Sequence, residues 1–258
     1  MNRFLWTVIV LLAGCAQLVP APEGAPESGR EAAESAWARV LERYVDERGR
    51  VDFTALERGR ADLDRYVGWV YATGPNNRPA LFASRAEVLA YHLNAYNALA
   101  MYSVLAAGRP ASLSGYGLLR FFYFKRIAVG GEPMSLYRYE NEIIRPLGEE
   151  RVHFALNCMA LSCPRLPRTP FRAETLEAAL AAETKRFLDE PRNVSVDAPR
   201  RVVRLSAIFA FYPEDFLARA PDPIAYVNAR RSMPVPADYR VEFADYDWTV
   251  ADRGIAQK

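Results

Sequence analysis

Lysine is nearly missing from this chain: of 33 basic residues only 3 are lysine, and the other 30 are arginine. With 31 acidic residues the formal charge is +2, too balanced for the electrostatic footprint of a dedicated nucleic-acid binder, and no nucleic-acid partner is expected. The arginine excess fits a compositional bias more simply than a set of bidentate anion sites. Histidine occurs twice and cysteine three times, which excludes a multi-zinc centre or a disulfide-dense framework. There is no phosphate-binding glycine loop, dinucleotide fingerprint or acidic metal cluster, so no nucleotide, metal or other cofactor is expected. What is present is a chain of 258 residues, 51% apolar and 12% aromatic, enough for a substantial core. No internal repeat is visible, and no linker interrupts the chain after residue 30.

The N-terminus reads as a targeting segment. Arg3 precedes an apolar run over 4–12, far shorter than the roughly 20 residues needed to cross a bilayer. Leu12-Ala13-Gly14-Cys15 then resembles the lipobox of bacterial lipoproteins, in which the cysteine is lipidated and becomes the first residue. The resemblance implies a signal peptide over 1–14 and a membrane partner held through acyl chains on Cys15. Ala16 stands where an aspartate would mark inner-membrane retention, so the expected location is the cell envelope, at the periplasmic face of the outer membrane. Residues 15–30, rich in Pro, Gly and Ala, read as a lipidated end and flexible tether. Residues 31–258 read as one globular domain.

Within that domain the apolar spacing predicts helices over about 32–45 and 53–71, the second closed by Thr73-Gly74-Pro75-Asn76-Asn77. Ser84-Arg85-Ala86-Glu87 is a capping-box sequence ahead of about 20 apolar helical residues that end at Gly108-Arg109-Pro110. Polar residues inside this run make a buried core helix a better reading than a membrane span. Gly130-Gly131 between short alternating arms predicts a hairpin, with Pro133 confining the second arm to an edge. Ser135 caps a further helix, 152–158 is ambiguous between strand and helix, 174–188 reads as helix and 194–205 as a hairpin. Short helices follow over 206–216 and 223–229, and the end is irregular or stranded. The fold class is α+β: a single mixed, helix-rich domain with short β-hairpins.

Two clusters carry chemistry. Asn94 and Asn97 share a face of the apolar helix, where they either tie loops to the core or orient a ligand. His92, near the opposite face, reads as a packing histidine. The second cluster, 151–166, holds His153, Asn157, Cys158, Cys163 and Arg165. Its cysteines suit a short-loop disulfide in an oxidising compartment, a metal site with His153 and His92, or a nucleophilic thiol with His153 as its base. Of the two, Cys163 in Ser162-Cys163-Pro164 is expected to be the reactive thiol, because a turn there can present sulfur beside free backbone N–H groups. Glu140 is the candidate for orienting the imidazole, and equally could be a surface carboxylate paired with an arginine.

Together, 91–99, the Val129-Gly130-Gly131 turn, Glu140 with Arg145, His153 to Cys158, Ser162-Cys163-Pro164, and Tyr212-Pro213-Glu214-Asp215-Phe216 resemble the domain of unknown function family 547, over roughly 50–250. Tyr246-Asp247-Trp248 is similar to that family's usual ending. The resemblance implies that the asparagine helix, Glu140, His153 and Cys163 belong to a shared pattern, and it implies no reaction. His92 departs from it, standing where Trp or another large apolar residue is expected. Two functions follow as expectations. The first is an envelope thiol enzyme acting on amide, peptide or thioester bonds, with Cys163 as nucleophile, His153 as base, Glu140 or Asn157 orienting it, and Asn94, Asn97, Asn157 and Arg165 contacting a small-molecule or peptide ligand. The second is a non-catalytic binding or assembly module. A hydrogen bond between Cys163 sulfur and His153 beside a pocket favours the first, and a Cys158–Cys163 bond favours the second.

Overall fold

The computed structural model describes residues 17–23 and 29–254; the stretch expected to be a signal peptide, 1–14, and Cys15 lie outside them. The fold is α+β, with helices forming the body and two small sheets at its edges.

Gln17–Leu18 (β1) opens the described chain, and Arg30–Tyr44 (α1) follows. Phe53–Arg58 (α2) and Ala61–Ala72 (α3) replace the single helix expected over 53–71. The break lies at Gly59, whose carbonyl accepts from the Tyr44 hydroxyl at 3.0 Å; a Cβ there would come within 2.4 Å of that oxygen. Arg85–Ala106 (α4) is the central helix, and Ser84 and Glu87 form the expected capping box. Every residue over 89–105 is buried, so this part of α4 has no solvent face, and its polar residues His92, Asn94, Asn97 and Ser103 are buried with the apolar ones. Trp37, Tyr66, Val67 and Leu99 pack in the same core. Among the described residues no helix is long and apolar enough to cross a membrane.

After Tyr116–Leu119 (α5) and one wide π-type turn, Lys125–Val129 (β2) and Glu132–Met134 (β3) make the expected hairpin, with Ile127 opposite Met134 and Val129 opposite Glu132. Both turn residues have left-handed backbones, Gly130 at φ 55° and Gly131 at φ 82°, as a primed two-residue turn demands. Gly130 is also pinned by Asn76, whose Nδ2 donates to its carbonyl at 3.2 Å. β1 adds to β2 in parallel, Val19 donates to Arg126 O at 2.7 Å, and Tyr71 and Tyr102 donate to the carbonyls of Val19 and Pro20. Part of the stretch read as a tether is therefore docked on the domain, because these three hydrogen bonds and the burial of Val19 outweigh the freedom of a Pro-rich spacer.

Leu136–Arg138 (α6), capped by Ser135, runs into a π-type turn over Tyr139–Ile144. The ambiguous 152–158 segment is neither strand nor regular helix: Glu150–Phe154 is a short 3₁₀ turn, and the chain then loops through the cysteines. Leu176–Asp189 (α7), the hairpin Val194–Asp197 (β4) with Val202–Leu205 (β5), Ile208–Phe211 (α8), Pro213–Leu217 (α9) and Pro223–Asn228 (α10) follow. Arg240–Phe243 (β6) joins β5 in parallel. A second aromatic core of Phe154, Phe187, Phe209, Phe216 and Tyr226 lies beneath this part. The two cores meet along 139–166, where the cleft described next is found.

Candidate active site

A cleft of about 390 Å³ receives side chains from segments far apart in sequence. Its polar lining includes Glu140, Asn141, Arg145, His153 and both cysteines, and its walls are aromatic, with Tyr123, Tyr137, Phe211, Tyr212, Tyr246 and Trp248 among them. The three residues expected to carry chemistry, Glu140, His153 and Cys163, thus face one hollow, although their roles are redistributed.

His153 sits on the 3₁₀ turn and is almost wholly buried, its ring stacked on Tyr212 at a centroid distance of 4.0 Å. Its Nε2 lies 2.7 Å from Asp215 Oδ2. The hydrogen bond from His153, reinforced by the Arg145 guanidinium, holds the Asp215 carboxyl well below the usual carboxylate range. An ionised Asp215 can only accept, so Nε2 carries the proton. In the neutral ring that leaves a lone pair on Nδ1, which is buried and has no hydrogen-bond partner among the described residues. Arg145 also grips Asp215 through Nε and Nη2, at 2.7 and 2.9 Å, and its third contact is Asn141 Oδ1 at 2.7 Å. Asp215, on α9, is therefore the residue that orients the imidazole, and the expectation that Glu140 or Asn157 does so is corrected.

Glu140 is neither that orienter nor a surface carboxylate in an arginine pair. Tyr96 donates to one oxygen at 2.9 Å and Tyr212 to the other at 2.6 Å. Burial, with the neighbouring Glu140 charge behind it, pushes both hydroxyls well above their ordinary range, so both remain protonated donors.

Cys158 and Cys163 are joined by a disulfide in the structure, with Cα atoms 6.3 Å apart. Cys163 sulfur accepts from the Cys158 backbone N–H at 3.0 Å and from the Tyr246 hydroxyl at 3.1 Å. Burial raises the Tyr246 hydroxyl above its usual range, so it too is a donor. No hydrogen bond joins this sulfur to His153, and Cys163 is 3% exposed. Among the described residues no group of three metal-type side chains is arranged to hold an ion.

Of the four residues expected to contact a ligand none lines the cleft: Asn97 and Asn157 brace the cysteine loop beside it, while Asn94 and Arg165 are bonded elsewhere. Asn94 accepts from Trp37 Nε1 and Phe171 N and donates to Phe171 O, tying a loop to α4 away from the cleft. Asn97 donates to Ala155 O at 3.0 Å and accepts from Asn157 N at 2.7 Å. Asn157 in turn accepts from Met159 N and donates to Pro164 O, both at 2.6 Å, and so closes the cysteine loop on itself. Met159 inside this loop has φ 69°, a left-handed backbone that a methionine adopts only when held there. Arg165 pairs with Glu183, and Arg192 donates to the carbonyls of Leu161 and Cys163. Every polar atom of these amides has a backbone or indole partner, which is why they build loops instead of meeting a ligand. His92 is the packing histidine expected, with Nδ1 2.8 Å from the Tyr139 hydroxyl, and burial lowers it to about 4.

Residues that the sequence reading did not single out are Asp215, Tyr212, Tyr96 and Tyr246. Asp215 and Tyr246 lie within motifs that carried the family resemblance, and that was the available signal. Their sequence distances of 62 from His153 and 83 from Cys163 hide any spacing pattern.

Residues 81–188 match the model of a family described as "Protein of unknown function, DUF547". That span contains Glu140, His153, Asn157 and both cysteines, whereas Asp215 and Tyr246 lie beyond it. No curated protein and no solved structure matches the chain.

Proposed function

From the match of residues 81–188 to the DUF547 model, we propose that the cleft is a thiol-dependent active site which the Cys158–Cys163 bond holds closed until it is reduced. One observation carries this reading: both sulfurs and His153, whose Nε2 is held by Asp215 and whose Nδ1 has no hydrogen-bond partner among the described residues, line the same hollow. Two electrons from a dithiol reductant open the bond to two thiols as the reductant closes to its own disulfide. Cys163 then gives its proton to His153 Nδ1, which Asp215 keeps oriented and electrostatically supported. The sulfur attacks the carbonyl carbon of an amide, peptide or thioester bond. The acyl–sulfur bond forms, the leaving amine or thiol takes the proton from His153, and water hydrolyses the thioester. Tyr246 and the Cys158 N–H, donors to Cys163 sulfur, favour the thiolate over the thiol.

The chain is further proposed to be a lipoprotein, anchored through Cys15 at the periplasmic face of the outer membrane. Lipid labelling lost in Cys15→Ser tests the anchor. For the chemistry, the reduced protein is incubated with a reactive acyl thioester and examined by mass spectrometry. An acyl adduct on Cys163, present in Cys158→Ala and absent in Cys163→Ala, is expected; no adduct on Cys163 overturns the reading. The disulfide and the lack of a hydrogen bond between Cys163 sulfur and His153 both favour a second reading, a binding cleft without a catalytic cycle, because a bonded sulfur is not a nucleophile.

A further inference from the structure

We propose that the ligand of this cleft carries a cationic ammonium group, held by Glu140 between aromatic rings. The inference rests on the cleft being the functional site, and it adds the chemical class of what enters.

The charges around the hollow decide the sign. Arg145 and Asp215 neutralise each other through a two-point contact, and the Arg145 guanidinium is further occupied by Asn141 and by the face of Tyr212, 5.0 Å from its centroid. His153 is satisfied at Nε2 by the same carboxylate. Glu140 is left with hydroxyl donors alone: no arginine, lysine or histidine forms an ion pair with it among the described residues. Two neutral hydrogen bonds hold a carboxylate in place without cancelling its charge, and each oxygen keeps a lone pair for another donor. A partly desolvated carboxylate with no ion-pair partner, acted on by Arg145 only through space, strengthens the attraction to an incoming cation and disfavours an anion.

The walls suit the same partner. Tyr123 and Tyr137 stack at 4.5 Å and are each 43% exposed, and both line the cleft. Tyr246 and Trp248 lie 4.4 Å apart in the same lining, with Phe211 alongside. Exposed aromatic rings beside a carboxylate give a cation two kinds of attraction, to the ring quadrupole and to the negative oxygen, while an alkyl or acyl chain is buried against the same rings. A neutral ligand gains only the burial, and a carboxylate ligand is repelled. Substrates with a free amino group near the reacting carbonyl, such as peptides with an unblocked amine, meet this description.

Hexylamine, hexanol and hexanoate share one chain and differ in charge, so they isolate the claim. Their binding to the full protein, with the Cys158–Cys163 bond intact, is read at pH 7 through the fluorescence of Trp248 in the cleft wall. Hexylamine is expected to bind about tenfold more tightly than hexanol, and hexanoate more weakly than either. Glu140→Gln is expected to bring hexylamine down to the level of hexanol while leaving hexanol unchanged. Equal binding of the three, a preference for hexanoate, no binding of hexylamine, or an ammonium preference that survives Glu140→Gln overturns the proposal. If Glu140→Gln does not fold, the ranking in the unaltered protein still decides. Because the bonded sulfurs cannot react, this outcome is independent of whether Cys163 is a nucleophile, and acyl capture by Cys163 does not depend on the ranking.

Discussion

Replacing Asn157 by alanine separates a framing role from a ligand-binding one. The side chain is buried and has two partners, the Met159 N–H and the Pro164 carbonyl, each 2.6 Å away. Both partner residues are buried as well, so removing the amide strands one donor and one acceptor where water does not reach easily. An orphaned buried backbone group costs roughly 1–3 kcal/mol, and the two together predict a loss of about 3 kcal/mol. The total stability of a domain is on the order of 5–15 kcal/mol, so the loss is large but leaves the protein folded. With a urea dependence of about 3 kcal/mol per molar, the unfolding midpoint falls by about 1 M. The assay is urea unfolding of the oxidised protein followed by tryptophan fluorescence. A midpoint for Asn157→Ala within about 0.2 M of the parent refutes the reasoning, because it means that neither backbone group depended on the amide.

His92 predicts a pH effect whose sign is fixed. Burial lowers its folded pKa from 6.5 to about 4, so the unfolded chain binds the proton first and stability falls as pH drops from 6.5 towards 4, by about 3 kcal/mol. His92→Phe is expected to flatten that limb in urea titrations at several pH values, the orphaned Tyr139 hydroxyl adding only a pH-independent cost; an unchanged limb contradicts the assignment. Asp215 acts in a lower window. Its folded pKa is depressed, so its stabilisation is complete above the ordinary carboxylate range and is lost as pH falls below about 4, and Asp215→Asn should remove that acid limb while destabilising the protein at neutral pH by on the order of 2 kcal/mol. No change at neutral pH would mean that the grip of Arg145 and His153 contributes nothing.

Features that depend on near neighbours were legible before any coordinates. The Ser84–Glu87 capping box, the apolar α4 and the Gly130-Gly131 turn are local, and each formed as its residues dictate. The break at Gly59 was not legible, because it is set by a hydroxyl on α1. Residues 17–20 read as spacer because a Pro-rich composition says nothing of the strand edge that β2 offers them. The same division runs through the site. His153, Cys163 and Glu140 stood out as rare or oddly placed types. Asp215 and Tyr246 are common residue types whose meaning comes only from what the fold sets against them. The asparagines were visible as buried amides, and burial alone does not say whether an amide meets a loop or a ligand.

The central claim is that His153 governs the reactivity of Cys163 once the disulfide is open. Iodoacetamide labelling of Cys163 in the reduced protein, followed by mass spectrometry as a function of pH, reports the thiolate fraction directly. The account predicts labelling that persists below the ordinary thiol range near pH 8.5 and is lost there in His153→Gln. Labelling with the same pH profile in both proteins would contradict it.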